Sequence, residues 1–187
     1  MKKHLQKGFT LIETIIYLAL FAIFLGGAVA TAYNMFEASG RNQTKNIVQE
    51  EGNFLIAKIE WALAGTQIVN SPLANNLPCT LPATPCLLAL NKITGLDPIT
   101  KQPIITRIEI NLAGTDMVLI YPDNIPPNSF ILNNSSVRIS NFAFTHNVES
   151  GSGGNSESVR ADFTLTTNTP NGMQISQDFS TTKYLRK

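Results

Sequence analysis

The sequence is poor in charge and in cysteine, and each scarcity excludes a class of protein. Only 14% of the 187 residues are charged, and 14 Lys and Arg nearly balance 13 Asp and Glu. Scattered basic residues at a net charge of +1 cannot neutralise a run of phosphates, which argues against an electrostatic nucleic-acid binder. Two cysteines are too few for a disulfide-framework miniprotein.

What the sequence does have is one long uncharged stretch near its N-terminus. Thr14 to Phe36 contains no charged residue, and as a helix it would rise ~35 Å, against ~30 Å for the hydrocarbon core of a bilayer. No second segment is long enough to span, which excludes a polytopic transporter. Lys2, Lys3 and Lys7 precede the stretch and favour a cytoplasmic N-terminus with the remainder outside. The organisation that is left after these exclusions is one membrane helix followed by one domain of roughly 120 to 140 residues.

The order of the leader differs from that of a secretory signal, because the small residue Gly8 stands before the apolar stretch instead of after it. A cut after Gly8 would remove the basic leader and leave the hydrophobic helix in the product. Glu13 lies at the mouth of that helix, where an unpaired carboxylate costs a few kcal/mol. The new α-amino group at Phe9, four residues away, would pair with Glu13 of the same or a neighbouring subunit.

The contiguous run from Lys7 to Glu13, Lys-Gly-Phe-Thr-Leu-Ile-Glu, followed by an apolar helix, resembles the processing signal of the type IV pilin and pseudopilin superfamily. The resemblance implies that Gly8 is the cleavage-site residue, Phe9 the N-methylated terminus and Glu13 the assembly carboxylate. It covers the first 30 to 40 residues. The plainer interpretations are a flexible residue for Gly8, lipid anchoring for Phe9, and for Glu13 a carboxylate that reaches the headgroups.

The resemblance also implies partners and a location. Expected partners are a prepilin peptidase that also methylates, other pilin or pseudopilin subunits, an inner-membrane assembly platform with its ATPase, the lipid bilayer, and DNA only for a competence pilus. The subunit would sit in the cytoplasmic membrane and then in a type IV pilus or a secretion or competence pseudopilus. The cysteine-bearing connector and the Tyr184–Lys187 end look more like a minor pilin or a larger pseudopilin. The competing hypothesis is a permanently anchored adhesin or binding module.

The helix is predicted to continue beyond the membrane segment. After the leader (1–8) and the hydrophobic helix (9–36), an amphipathic stretch (37–68) has Gly65 as a plausible stop. Its apolar residues recur near a spacing of 3.6: Ile47, Val48, Phe54, Leu55, Ile59, Ala62 and Leu63.

Four glycines interrupt this helix, and they have two interpretations. Gly26, Gly27, Gly40 and Gly52 each weaken the helix by ~1 kcal/mol relative to Ala. They indicate either close packing or a mild bend, or, for Gly26-Gly27, local extension in a filament.

Residues 69–103 are predicted to form an irregular, proline-rich connector. Cys79 and Cys86 lie within it, and in an exported domain they are expected to form a local disulfide that stabilises the loop by roughly 2 to 2.5 kcal/mol. The alternative is a metal pair, which no neighbouring His or further Cys supports.

Residues 104–187 have the alternation of a β domain. Ile108, Ile110 and Leu112 predict a strand that forms a hairpin with Met117–Tyr121. A change of parity predicts a bulge near Asn141, and the turn Pro170-Asn171-Gly172 joins two further strands. The predicted fold is therefore α+β: a long N-terminal helix whose amphipathic second half packs on an antiparallel sheet of about four to six strands.

The sequence lacks the residue patterns of catalytic and metal sites, so it predicts no enzyme, no metal site and no required cofactor. His146 is the only histidine outside the leader and is interpreted as a surface residue at a strand end. No Gly-x-Ser-x-Gly elbow surrounds a serine. Asp97, Asp116 and Asp123 lie near turns and leave calcium as an alternative, although their spacing does not resemble a calcium loop.

Overall fold

The computed structural model describes residues 10–72, 79–80, 87–151 and 154–185. The chain divides into two units, Met1–Gln43 and Thr44–Lys187. Helix α1 (Leu11–Leu63) supplies the described part of the first unit from residue 11 onward and opens the second unit. Every strand among the described residues lies in the second unit.

Helix α1 ends where the sequence predicts. Gly65 has a φ of 75°, the left-handed conformation that commonly terminates a helix and that glycine adopts without steric cost. The Ala64 N–H donates to the Glu60 carbonyl (2.9 Å), and the Gly65 carbonyl accepts the N–H of Ile93 (3.1 Å). The chain therefore leaves the helix directly into the first strand.

In the described part of the chain nine strands follow, in two antiparallel sheets. The first sheet has the order β1-β3-β4-β5-β6 and the second the order β2-β7-β8-β9. The bounds of the strands are β1 Thr66–Ser71, β2 Cys79–Thr80, β3 Leu87–Leu96, β4 Pro103–Ala113, β5 Asp116–Tyr121, β6 Asn128–Ile131, β7 Arg138–Gly151, β8 Gly154–Asn168 and β9 Gln174–Leu185. The α+β class with a helix on antiparallel sheets is confirmed, but a single sheet of four to six strands is not what forms.

The largest difference lies in the connector predicted for 69–103. Strand β3 occupies Leu87–Leu96 within it and pairs with both β1 and β4, so this part is a central strand. Its apolar run Leu88-Ala89-Leu90 is buried without a break. A strand covered on both faces carries no alternation, which is why a period-two search does not find it.

The predicted irregularity near Asn141 is confirmed. The register between β7 and β8 shifts between Ser140 and Ala143, and Asn141 has a φ of 49°. Asn is one of the few residues that tolerate this region. The bulge lets Ile139 (2% exposed) and Phe144 (fully buried) face the same core although their sequence parity differs.

Both predicted hairpins are present. Strands β4 and β5 pair from Glu109↔Ile120 to Ala113↔Asp116. Strands β8 and β9 pair from Glu157↔Leu185 to Asn168↔Gln174, and Gly172 in the intervening turn has a φ of 78°. In both cases the turn residues and the alternation agree, so local sequence suffices to set the register.

The core of the second unit is one apolar cluster to which helix α1 and both sheets contribute. Ile47 and Phe54, predicted on the buried face of the helix, are instead 40% and 43% exposed. The buried helical positions step by three or four residues as far as Ala62, as expected for one face packed on a sheet, and the final residue of the helix is buried as well: Thr44, Val48, Gly52, Leu55, Ile59, Ala62 and Leu63.

A buried asparagine links the two sheets. Asn133, 6% exposed, accepts the N–H of Met117 in the first sheet through Oδ1 (2.7 Å). Its Nδ2 donates to the carbonyl of Val137, just before β7 in the second sheet (3.0 Å), and to Asp116 Oδ1 (3.1 Å). These hydrogen bonds of Asn133 all reach partly or fully buried groups. The Asn133 side chain therefore takes the place of backbone pairing between the two sheets.

A lysine from β3 caps the C-terminal turn of helix α1. Lys92 is 8% exposed, its Nζ donates to the Trp61 carbonyl, and the ammonium lies 4.0 Å from the centre of the Trp61 ring. Burial lowers the pKa of Lys92. The last carbonyls of a helix have no intrahelical donor and carry the negative end of its dipole. An ammonium group here donates a hydrogen bond to one of these carbonyls and offsets the negative charge.

Lys92→Met is therefore expected to destabilise the domain by about 1 to 2 kcal/mol, because the carbonyl loses a charged donor while the apolar stem of the side chain is kept. Urea unfolding of the purified chain measures this. Lys58→Met is the matched control, since Lys58 also lies over a ring, that of Phe54 at 5.3 Å, and is expected to cost under about 0.5 kcal/mol. Equal losses in the two variants would contradict the capping role.

Candidate functional site

The N-terminal half of helix α1 presents apolar side chains to its surroundings on every side. Among the described residues one helix is long and apolar enough to cross a membrane, and its most hydrophobic 18-residue window has a mean hydropathy of 2.3 with none of it buried. Leu11, Leu18 and Phe36 are 75% to 80% exposed. An apolar surface this extensive is unstable in water, so lipid or protein must cover it.

Two threonine hydroxyl groups in this segment are satisfied within the helix. Thr14 Oγ1 donates to the Leu11 carbonyl (3.0 Å), and Thr31 Oγ1 donates to the Gly27 carbonyl (2.8 Å). Bonding of a hydroxyl to the preceding turn removes its need for water. These threonines are therefore compatible with an apolar environment.

Glu13 lies in the first turn of α1 and is only partly exposed. Its N–H donates to the Thr10 carbonyl (3.1 Å), which places the residue inside the helix from its start. A carboxylate in the first turn is favoured by the positive end of the helix dipole. The next charged residues along the chain are Glu37 and Arg41, which form an ion pair at 2.6 Å and mark the end of the uncharged stretch.

The other processing and pairing residues fall largely outside the described part of the chain. Gly8 and Phe9 precede residue 10, so the cleavage and methylation assignments stay predictions. The backbone of Cys79 opens β2 and pairs with Phe144 of β7. Cys86 lies outside the described residues, and with it the predicted disulfide.

His146 is not the surface residue predicted from the sequence. It is 3% exposed, and its ring nitrogens contact the Pro72 carbonyl (Nδ1, 3.1 Å) and Glu157 Oε1 (Nε2, 2.7 Å). Glu157 is itself 8% exposed. The error arose because the partners come from β8 and from the residue after β1, and neither is near His146 in sequence.

The three aspartates considered for calcium are each engaged at separate turns. Asp97 Oδ1 accepts the N–H groups of Thr100 (2.9 Å) and Ile99 (2.8 Å), which hold the pKa of Asp97 below its ordinary value. Asp116 accepts from Asn133, and Asp123 Oδ2 accepts the N–H of Arg107 (3.3 Å). Within the described ranges no three His, Cys, Asp or Glu side chains form a group suited to a metal ion.

The N-terminal segment has the features of a membrane-inserted assembly helix: an apolar surface that must be covered, a carboxylate in the first turn and a basic leader before it. Residues 3–29 match the family model described as the prokaryotic N-terminal methylation motif. The chain therefore carries a prepilin signal of the type IV pilin and pseudopilin kind, which belongs to structural subunits and not to an enzyme family.

The match ends at residue 29, so it leaves the β domain without a relative. Comparison with curated proteins and with solved structures finds no match to the chain. The properties of the second unit must therefore be argued from its own residues.

Proposed function

We propose that the protein is a prepilin-like subunit that is cut after Gly8, methylated at Phe9 and polymerised through the N-terminal half of α1 into a type IV pilus or pseudopilus. The observation that supports this most directly is the apolar segment that directly follows Glu13, whose most hydrophobic window has no buried residue and which begins within the matched methylation motif. A simple anchor has no need of a carboxylate at its mouth.

In this proposal the subunit resides in the bilayer as a monomer until it is transferred into the filament. The basic leader holds the N-terminus in the cytoplasm, and the β domain lies outside. Lipid covers the apolar helix of the monomer, and assembly exchanges lipid contacts for contacts between helices. Because both environments are apolar, the exchange has little hydrophobic driving force of its own, which leaves polar pairing and close packing to direct it.

Glu13 makes the exchange selective. In an apolar environment a carboxylate is stabilised by a cation, and the amine created at Phe9 by cleavage supplies one. The charge at Phe9 of one subunit thus meets Glu13 of its neighbour, and an unprocessed subunit, which has no amine there, is excluded. The peptidase that also methylates, the assembly platform with its ATPase and further pilin subunits are the partners that this proposal requires.

The intact mass of the membrane-extracted protein tests the proposal. It is expected to equal residues Phe9 to Lys187 plus one methyl group, less two hydrogens if Cys79 and Cys86 are bonded. In a host that carries the peptidase, Gly8→Ala is expected to retain the leader, because the enzyme must fit the residue at the cut.

Two results would overturn the proposal. A full-length mass for the wild-type chain in that host would favour the permanently anchored binding module. A mature mass beginning at Phe9 in Gly8→Ala would remove Gly8 from the cleavage site. Lys7→Ala is the control, since it changes the leader next to the cut and is expected to leave the mature mass unchanged.

A further inference from the structure

The interior of the second unit contains a histidine between two hydrogen-bond acceptors. His146 on β7 contacts the Pro72 carbonyl through Nδ1 and Glu157 Oε1 through Nε2, at 3.1 and 2.7 Å. The ring and the carboxylate are 3% and 8% exposed, so bulk water does not replace either contact. Pro72 directly follows β1 of the first sheet, whereas His146 and Glu157 belong to the second.

A count of hydrogens shows that this arrangement requires an additional proton. A carbonyl oxygen has no hydrogen, so Nδ1 must donate to Pro72. A neutral imidazole with its hydrogen on Nδ1 presents a bare lone pair at Nε2, and an ionised carboxylate presents another. Two lone pairs facing each other at 2.7 Å repel, so either the ring is a cation or Glu157 is protonated.

We propose that His146, Glu157 and the Pro72 carbonyl form a proton-dependent clasp that fastens the end of β1 to the second sheet. In either protonation pattern the cluster holds one proton more than a neutral histidine and an ionised glutamate. Loss of that proton breaks one of the two contacts, because a single ring hydrogen cannot serve two acceptors. The clasp is thus closed at acidic pH and weakened as the pH rises.

The sign of the effect on stability follows from proton linkage. An unfolded histidine releases its proton near pH ~6.5 and an unfolded glutamate near pH ~4.3. Both native contacts require the additional proton, whereas the unfolded chain has no such contacts to maintain, so closing the clasp at a pH above these values takes up a proton. The native state then binds more protons, so stability falls with rising pH until the clasp itself deprotonates.

Two charged groups on neighbouring elements lie on the same face of the sheet as the cluster. Lys183 on β9 pairs with Val159, which also pairs with His146, so the register places Lys183 on the same face of the sheet. Glu60 on α1 accepts from Thr181 Oγ1 on β9 (2.9 Å), on that face too. Lys183 and Glu60 are therefore the charged groups that register and hydrogen bonding place on this face, and both remain in any variant altered only at the clasp.

Glu157→Gln tests the clasp. The glutamine amide donates to Nε2 of a neutral ring whose Nδ1 hydrogen still reaches Pro72, so the variant keeps both contacts without the additional proton. Thermal unfolding of the full chain in detergent is followed between pH 5.5 and 8.5. The midpoint of the wild-type chain is expected to fall by about 3 to 6 °C relative to that of Glu157→Gln over this range. Parallel profiles for the two chains would overturn the proposal.

A second measurement needs no variant at the clasp and so remains decisive if Glu157→Gln does not fold. His4→Gln leaves His146 as the single histidine, and its two ring nitrogens are observed by NMR after labelling with ¹⁵N-histidine. At pH 7.5 we expect a hydrogen on Nδ1 and either a second hydrogen on Nε2 or an acceptor Nε2 bonded to a protonated Glu157. An unprotonated Nδ1 at this pH would show that the hydrogen bond to Pro72 is absent and that the proposal is wrong.

Discussion

Gly52→Ala is expected to destabilise the β domain by about 2 kcal/mol, although alanine favours the helix by ~1 kcal/mol. A Cβ at Gly52 would lie 2.1 Å from two ring carbons of Phe179, far inside van der Waals contact. The ring cannot easily withdraw, because Phe179 is 7% exposed and stacks on Phe163 at 5.5 Å between ring centres. Inserted atoms in a packed core cost about 1 to 3 kcal/mol, and this site offers little relaxation.

Urea unfolding of the purified chain measures the loss, with Gly40→Ala as the matched control. Gly40 lies on the same helix, and a Cβ built there has no atom of the described residues within 4 Å, so this variant is expected to be neutral or slightly stabilising. Phe179→Leu in the Gly52→Ala background should recover part of the loss. If Gly52→Ala is as stable as Gly40→Ala, the close packing of helix on ring is contradicted.

The contact also decides between the two interpretations that the sequence left open for this glycine. Gly52 permits the helix backbone to lie directly against the Phe179 ring, which is close packing. Gly26 and Gly27 have nothing of the described chain near a Cβ, so packing within the chain does not explain them. Their interpretation as a site of local extension in a filament stays a prediction.

Local sequence predicted those parts of the fold that local forces determine. The helix end at Gly65, the bulge at Asn141 and the turn at Gly172 all need a backbone conformation that few residues adopt, so the residue type identifies the place. Alternation predicted the hairpins of β4 with β5 and of β8 with β9 for a similar reason. Each depends on neighbours within a few residues.

The features that sequence reasoning missed depend on distant partners. Strand β3 is flanked by a proline-rich stretch, and only its pairing with β1 and β4 makes it central. His146 has an ordinary surface composition around it, and its burial comes from Pro72, 74 residues earlier, and from Glu157. Lys92 is likewise a cap only because α1 ends beside it. No periodicity in a single sequence reports such long-range contacts.

The candidate functional residues also divide into those that local sequence predicts and those that depend on distant contacts. Gly8, Phe9 and Glu13 belong to one contiguous run, Lys7 to Glu13, that a peptidase and a neighbouring helix would recognise directly, so their roles can be proposed from sequence. All three lie within residues 3–29, which match the methylation motif. The clasp at His146 is visible only in three dimensions. Its consequences belong to the β domain, for which comparison supplies no relative.

Glu13→Val is expected to leave processing and membrane insertion intact but to lower incorporation into filaments at least about tenfold. Valine keeps the helix apolar, so anchoring improves if anything, while the partner for the Phe9 amine of the neighbouring subunit is lost. A difference of about 1.4 kcal/mol per subunit contact already changes occupancy tenfold, and removing one partner of a buried charge pair costs about 3 to 5 kcal/mol because the other charge is left unpaired.

Co-expression of wild-type and Glu13→Val chains, followed by mass spectrometry of sheared filaments against the membrane fraction, gives the ratio directly. Glu37→Val is the matched control: it removes a carboxylate from the same helix, one that already pairs with Arg41, and is expected to enter filaments near the wild-type ratio. Equal incorporation of the Glu13 and Glu37 variants would refute the assembly role of Glu13. A specific deficit for Glu13→Val at normal membrane levels instead means that the carboxylate acts after insertion, when subunits leave the lipid for one another.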